Sequence, residues 1–393
     1  MSKKIIILLL FITAFATSLQ AQNADDVLRY SLEYPSYDPV SLVMPAVSQP
    51  AGFGAYQDNP AVMALYDKSF FSFDLSTRFL DENGQYLGNT SSFSDNQTNV
   101  GDLGFLYKVP TTRGSLVVGG GYSQTTDFNR ALAANGFNAQ STITDFYANL
   151  GRENSINEAA FNAFAIEDVN ADSSTSIFRF GSNYSAFPGI SQDIELTEKG
   201  VMGEYSAFLA TEFMKNLSFG VSIGYLDGSY SYRRKFLESD RRGNFDGQFI
   251  DADGDGNFET DIDRIENIDV IDADIQAFSG RVGIVYEPST AFSFGLSYQI
   301  PSVLTIDENY NTRITTFFDN GTQTETEEAP GQFKYKIERP SKIKAGFSYL
   351  PTDRVKLSFS AEGVQHSQTR IQYDELRFSD EERVINNTIR STF

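Results

Sequence analysis

The chain has 393 residues, of which 52 are acidic and 31 basic, with no Cys, no Trp and one His. Without Cys there is no disulfide framework, no thiolate metal ligand and no thiol nucleophile, and His366 alone leaves little room for a His-based metal or catalytic site. A net charge of −21 argues against nucleic acid as a partner, while 34 Phe and 20 Tyr supply more apolar surface than a disordered chain carries.

Residues 1–21 read as a signal peptide. Lys3 and Lys4 form the positive end, and Ile5–Ala16 form an apolar core of 12 residues, well short of the roughly 20 that span a bilayer. Cleavage is expected after Ala21, and no Cys follows to carry a lipid. Residues 22–68 do not read as strand. Pro35, Pro39, Pro45, Pro50 and Pro60 interrupt them, yet Leu42, Val43, Met44, Val47, Val62, Met63 and Leu65 make them too apolar for a free tail. Such a segment needs a place to be buried.

The rest of the chain alternates with period two. Leu217, Phe219, Val221, Ile223 and Tyr225 are interleaved with Ser218, Gly220, Ser222 and Gly224. Phe292, Phe294, Leu296, Tyr298 and Ile300 are interleaved with Ser293, Gly295, Ser297 and Gln299. Ten strands are expected, at about 69–79, 98–108, 115–126, 201–213, 217–232, 268–286, 292–308, 332–349, 355–372 and 383–393, with Pro340 kinking the eighth rather than dividing it. A soluble sandwich and a membrane barrel both give such alternation. The connections decide for the barrel. Short turns at Pro110–Arg113, Met214–Asn216, Glu287–Thr290 and Leu350–Arg354 alternate with long connections at 80–97, 127–200, 233–267, 309–331 and 373–382. Tyr107, Phe213, Tyr286 and Tyr349, each beside a short turn and on the outward parity, suit an aromatic girdle. The fold class is therefore an all-β, transmembrane antiparallel β-barrel in the outer membrane, surrounded by its lipid and monomeric. Its Gly- and Ser-rich inner face leaves space for residues 22–68 as a hatch.

Three further features bear on function. Gly119, Gly120 and Gly121 weaken the third strand, and a kink or bulge there would open the wall sideways. A side exit spares an apolar molecule from meeting periplasmic water. In the long connection 127–200, residues 157–166 read as a short helix with Ile156, Ala160 and Phe164 on one face. Phe137, Phe146, Phe161 and Phe164 are candidate ligand contacts there, or the loop's own small core. Between the fifth and sixth strands, Asp251, Asp253, Asp255, Asn257 and Glu259 have the spacing of calcium-loop ligands, with Gly254 and Gly256 for the turn. Position 12 of that loop is Ile262 instead of Glu, so a bound calcium and a merely solvated acidic loop are equal expectations. No other cofactor is expected, and no residue arrangement marks an enzyme.

Gly54-Ala55-Tyr56-Gln57-Asp58-Asn59-Pro60-Ala61-Val62-Met63-Ala64-Leu65-Tyr66, followed by a Phe-rich first strand, resembles the hatch of the FadL/TodX outer-membrane transporters, and Asn59-Pro60-Ala61 matches that family's Asn-Pro-Ala element. Asp26-Val27-Leu28-Arg29-Tyr30-Ser31 resembles the mature start of many members. Pro39–Pro45 departs from the Gly-rich stretch usual before Asn-Pro-Ala. The resemblance implies 14 strands, a hatch in the lumen, outer loops that offer a first hydrophobic groove, an inward kink in the third strand, and passive uptake of long-chain fatty acids or other hydrophobic molecules. Ten strands are four short of 14, so C-terminal strands are expected beyond Phe393. A structural or secretion-associated barrel of the same fold, with protein partners, is the alternative; an outer-membrane hydrolase is a distant third.

Overall fold

The period-two segments fold as antiparallel strands. The computed structural model describes residues 27, 29–30, 44 and 46–377, apart from 171–172, 180–186, 248, 252–259, 328–330, 353 and 374–375. The signal peptide, most of residues 22–45 and the tenth expected strand lie outside the described residues.

The strands are β1 (Phe70–Tyr86), β2 (Asn89–Val109), β3 (Leu116–Asp127), β4 (Arg130–Asn138), β5 (Ile166–Asn170), β6 (Ser173–Ser176), β7 (Ile190–Met214), β8 (Leu217–Ser239), β9 (Ile262–Ser289), β10 (Phe292–Gln299), β11 (Ser302–Phe318), β12 (Gln323–Glu327), β13 (Gly331–Arg339), β14 (Lys342–Thr352), β15 (Val355–Val364), β16 (Arg370–Tyr373) and β17 (Leu376–Arg377). Ladders join β1-β2-β3-β7-β8-β9 in order. The inner end of β9 then pairs with β10, and its outer end with β11. β14 and β15 continue from β10, and β13 and β16 continue from β11.

The sheet is inside out relative to a soluble sandwich. Phe278, Phe213 and Ile223 are 75%, 72% and 71% exposed, and Phe71, Phe73, Phe105, Tyr107, Phe292 and Phe359 share their outward face. Ser218, Ser222, Ser279, Ser293 and Ser297 point inward and are buried. In water so large an apolar surface has no stable state, whereas lipid supplies the missing neighbours. The sheet curls, because wall residues from β2, β8, β9, β10 and β14 all close on one inner segment, residues 46–66. This is an all-β barrel wall wrapped around its own N-terminal chain.

Several strand expectations change. The expected long connection at 80–97 is a continuous β1–β2 hairpin, closed by Leu87 (φ 48°) and Gly88 (φ 87°) in the left-handed geometry a two-residue turn needs. Expected strand 292–308 divides at Pro301, and 332–349 divides at Pro340 instead of kinking, because Pro has no N–H for the ladder. Expected strand 355–372 divides at a 3-10 turn, His366–Gln368. The 127–200 connection contains β4, two helices and the β5–β6 hairpin, and its apolar residues pack on the outer ends of β9 and β11 through Ile262, Ile265, Ile314 and Phe318.

Candidate functional site

Within the inner segment, α1 (Ala55–Asp58) is followed by a 3-10 turn, Pro60–Leu65. Asn59 caps that turn: its Oδ1 accepts from Ala61 N at 3.0 Å, and Pro60 takes the first position, where no N–H is needed. Its Nδ2 donates to Val47 O at 2.6 Å and to Ile284 O of the wall at 3.0 Å. One buried side chain therefore ties two parts of the segment to each other and to β9.

The wall is shaped to receive it. A methyl group at Gly283 would lie 1.9 Å from Asn59 Oδ1, and one at Gly295 would lie 1.8 Å from Val47 O. Gly220 lies beneath the Pro60–Ala61 peptide, and Gly104 beneath the Phe53 ring. Wall serines donate to the segment's carbonyls: Ser297 to Asp58 O and Ser293 to Ser48 O, both at 2.5 Å, and Ser115 to Ala64 O at 2.8 Å. Lys344 on β14 reaches Asp58 Oδ1 at 2.6 Å and Glu362 on β15 at 3.2 Å. Tyr56 stacks on Phe208 and its hydroxyl donates to Ser123 Oγ at 3.3 Å. Beyond Ser123 in the same row, Glu204 receives Arg281 Nη1 at 2.8 Å and Nη2 at 2.9 Å, with Ser279 Oγ at 2.7 Å, and both charges are buried. Paired in this bidentate way, a buried ion pair holds its geometry tightly.

Further out, Tyr30 meets Phe128 and Tyr230 edge-on at 5.8 and 5.6 Å. Arg29 lies 4.9 Å above the Tyr230 ring and 3.4 Å from Glu198, which also accepts from Tyr230 Oη at 2.9 Å. The described residues nearest the N-terminus thus also dock on the inner wall.

The wall is continuous at the expected opening. Gly119, Gly120 and Gly121 pair with Leu106, Phe105 and Gly104 on one side and with Phe208, Ala207 and Ser206 on the other. No lateral opening exists at these glycines. The room that they leave is filled by the Phe208 ring and by the neighbouring backbone at Phe105 O and Leu103 O. The ladder between β2 and β3 ends instead at Asp102↔Ser123. Above it β3 shifts register between Gln124 and Thr126, and residues 123–129 are all buried, which places both faces of the strand inside the protein. β2 continues outward paired to β1.

In the outer region α2 (Ile143–Asn149) and α3 (Ser155–Asn162) build a small body. The helix expected over 157–166 runs earlier, from its Asn154 cap, and Phe164 lies beyond it at φ 56°. Phe161 (40% exposed) and Phe164 line a cavity of about 560 Å³ with Ile177, Glu167, Ile250 and Asp251. Phe137 and Phe146 do not line it: Phe137 lies under the Arg242 guanidinium, and Phe146 packs beside Tyr147.

Of the calcium-type residues, Asp253, Asp255, Asn257 and Glu259 lie outside the described residues, and Asp251 lines the cavity. At the foot of that loop, three carboxylates that the spacing did not single out, Asp246, Asp261 and Asp319, bring oxygens within 4.8 Å of one another. Asp319 is held up at about 6, first by its hydrogen bond with Asp261 and then by burial and neighbouring acids.

Sequence reasoning also missed Arg281, Lys344 and Glu204. A signal existed for Arg281: it is the one charge on an inward row that otherwise reads Ala277, Ser279, Gly283, Val285.

The sequence matches no protein-family model and no curated protein. Among solved structures, it is similar to the Pseudomonas putida toluene transporter TodX, at 12% identity over 88% of this chain and 75% of that one, with a TM-score of 0.44. It is also similar to the Ralstonia pickettii toluene transporter TbuX, at 13% identity over 86% and 75%, with a TM-score of 0.43. At such values the fold assignment rests on the ladders, the outward apolar face and the inner segment described above.

Proposed function

We propose that this chain is an outer-membrane channel through which hydrophobic small molecules enter passively, with residues 46–66 as its hatch. The observation that carries this reading is the seat itself: wall glycines at 220, 283 and 295 and serines at 115, 293 and 297 are spent on holding a backbone segment across the lumen. A barrel serving only as a scaffold has no need to seat a segment of its own chain across its lumen with both backbone and side-chain anchors. The Phe161–Phe164 cavity is the first stop, where burial of an apolar ligand contributes about 25 cal/mol per Å². The seam above Asp102↔Ser123, where β2 and β3 part, is the way out into lipid, since strand pairing there is already absent. Long-chain fatty acids and uncharged hydrocarbons are the candidate cargo.

The test is uptake of radiolabelled oleate and toluene by a strain in which the gene is deleted, with and without a plasmid copy. Uptake of at least one should fall on deletion and return on complementation. Equal uptake of both with and without the gene, together with a protein partner that co-purifies stoichiometrically, would replace the channel with the secretion-associated reading.

A further inference from the structure

A carboxylate lies under the outer loop body where no charge is expected. Glu238, near the outer end of β8, is fully buried, well beyond Ile223, the last strongly exposed apolar residue of that strand. It pairs across the ladder with Ile265, part of the apolar floor on which the 127–200 connection sits. Three donors from two other elements converge on it. Ile143 N at the start of α2 donates at 3.0 Å, Thr142 Oγ1 donates to its other oxygen, and Gln192 Nε2 of β7 donates at 2.6 Å. Thr142 is also the cap of α2, in a capping box with Asp145. Glu238 therefore touches the point where the loop's first helix begins.

We propose that Glu238 is a proton-sensitive latch that docks the 139–165 loop body on the barrel rim, and so controls access to the Phe161–Phe164 cavity. The access half of this statement rests on the channel reading; the latch does not.

The physical case begins with burial, which penalises the charged form. Against it act the bonds from Thr142, Gln192 and Ile143, and the balance holds the carboxyl up at about 7. The charges around it are already engaged. Asp145 of α2, which pushes the same way as burial, is held by Arg179 at 2.5 Å. On β8 and β9, Arg234 is held by Asp269 and Lys235 by Glu266, and Arg241 is held by Asp193 of β7. Tyr86 of β1 donates to Gln192 Oε1, and Tyr147 of α2 is buried; both stay neutral over the relevant pH range. None of these basic groups neutralises Glu238 once it ionises.

The sign follows from linkage. A docked carboxyl near 7 and a lifted one near the ordinary value of 4.5 mean that the docked form holds the proton more tightly. Docking is strongest below about 4.5, weakens as pH rises, and reaches its minimum above 7. Between pH 5 and pH 8 the docked-to-lifted ratio falls by about tenfold to a hundredfold. The cavity draws Phe161 and Phe164 from this body, Ile177 from the stretch that follows it and Ile250 from the β8–β9 connection, so lifting the body opens it.

Hydrogen exchange on the full chain in detergent micelles tests this. Protection of peptides within 139–165 is compared at pH 5 and pH 8 after correction for intrinsic rates. Wild type should lose about tenfold to a hundredfold of its protection at pH 8, and Glu238→Gln, which cannot ionise, should keep equal protection at both. Because the chain has no Cys, spin labels at Glu158→Cys and Asn309→Cys give a second readout, with a longer distance component growing from pH 5 to pH 8 only when Glu238 is present. Equal wild-type protection at both pH values, or a pH dependence that survives in Glu238→Gln, overturns the latch. Neither readout needs a ligand, so a failed latch leaves the channel reading intact, and absent uptake leaves the latch intact.

Discussion

Two stretches of the single strand β9 carry opposite patterns. In its inner stretch Phe278, Val282, Ile284 and Tyr286 face outward and exposed, while Ser279, Arg281, Gly283 and Val285 are buried inside. In its outer stretch Ile265, Ala273 and Ile275 are buried inside, while Asp272, Asp274 and Gln276 face outward. The backbone geometry is the same, and the surrounding medium differs. Lipid takes apolar side chains on the outside and leaves a polar, small-residue interior to receive the inner segment, whereas water demands the soluble arrangement. With 28 residues β9 is about 90 Å long, against the roughly 10 residues that a membrane-spanning strand needs, so one strand serves both media.

The strongest way to break this comparison is at the buried pair. Arg281→Met leaves Glu204 charged inside the barrel and should cost about 3–5 kcal/mol, measured by urea unfolding in micelles. Adding Glu204→Leu should recover most of that loss. If the single variant is neutral, the interior is wetter than its burial implies. Next comes a pair on the outer face. Ile284→Arg meets lipid and should cost about 2–4 kcal/mol, whereas Asp274→Arg on the same face meets water and should change stability by less than about 0.5 kcal/mol. Equal effects would erase the boundary between the two stretches.

A smaller effect is expected at the outer cavity. Phe164→Ala, read by fluorescence titration with an apolar ligand, should weaken binding by about tenfold while leaving the fold intact, because it removes apolar contact area from the cavity wall. Unchanged affinity would make the outer aromatics a core for the loop alone. The smallest effect concerns the acidic foot of the β8–β9 connection. Asp319 is held up at about 6 by Asp261, so their shared-proton contact stabilises the loop below the ordinary carboxylate range and is lost as pH rises through 6. Hydrogen exchange of peptides around Asp261 and Asp319 should show protection falling between pH 4 and pH 7, and Asp319→Asn should remove that dependence. Equal protection at both pH values would leave the three carboxylates merely neighbours.

How much of this was legible follows the same boundary. Inside the lipid band, alternation placed the strands and short turns, because lipid enforces period two. The outer halves of β1 and β2 read as a loop, since residues such as Glu82, Asn83, Asn89 and Asn96 are polar on both faces once water lies outside. Gly119–Gly121 invited a kink, but a glycine weakens a strand only where nothing occupies its space, and here Phe208 and the flanking strand backbones do. The departure falls three residues later, at Gln124–Asp127, where polar residues are buried on both faces. Burial of a polar run against the protein's own interior leaves no periodic trace. The inner segment was legible as an apolar stretch in need of a cover, but its seat was not. The glycines at 220, 283 and 295 become a seat only when three strands are side by side.

The central claim is that residues 46–66 close the lumen. Single-channel recording in planar bilayers tests it directly, comparing the full chain with a variant lacking 46–66. The account predicts that the full chain conducts few or no ions and that the deletion opens a steady ionic conductance. Equal conductance from both proteins, with the deleted chain still inserted and folded, would contradict it.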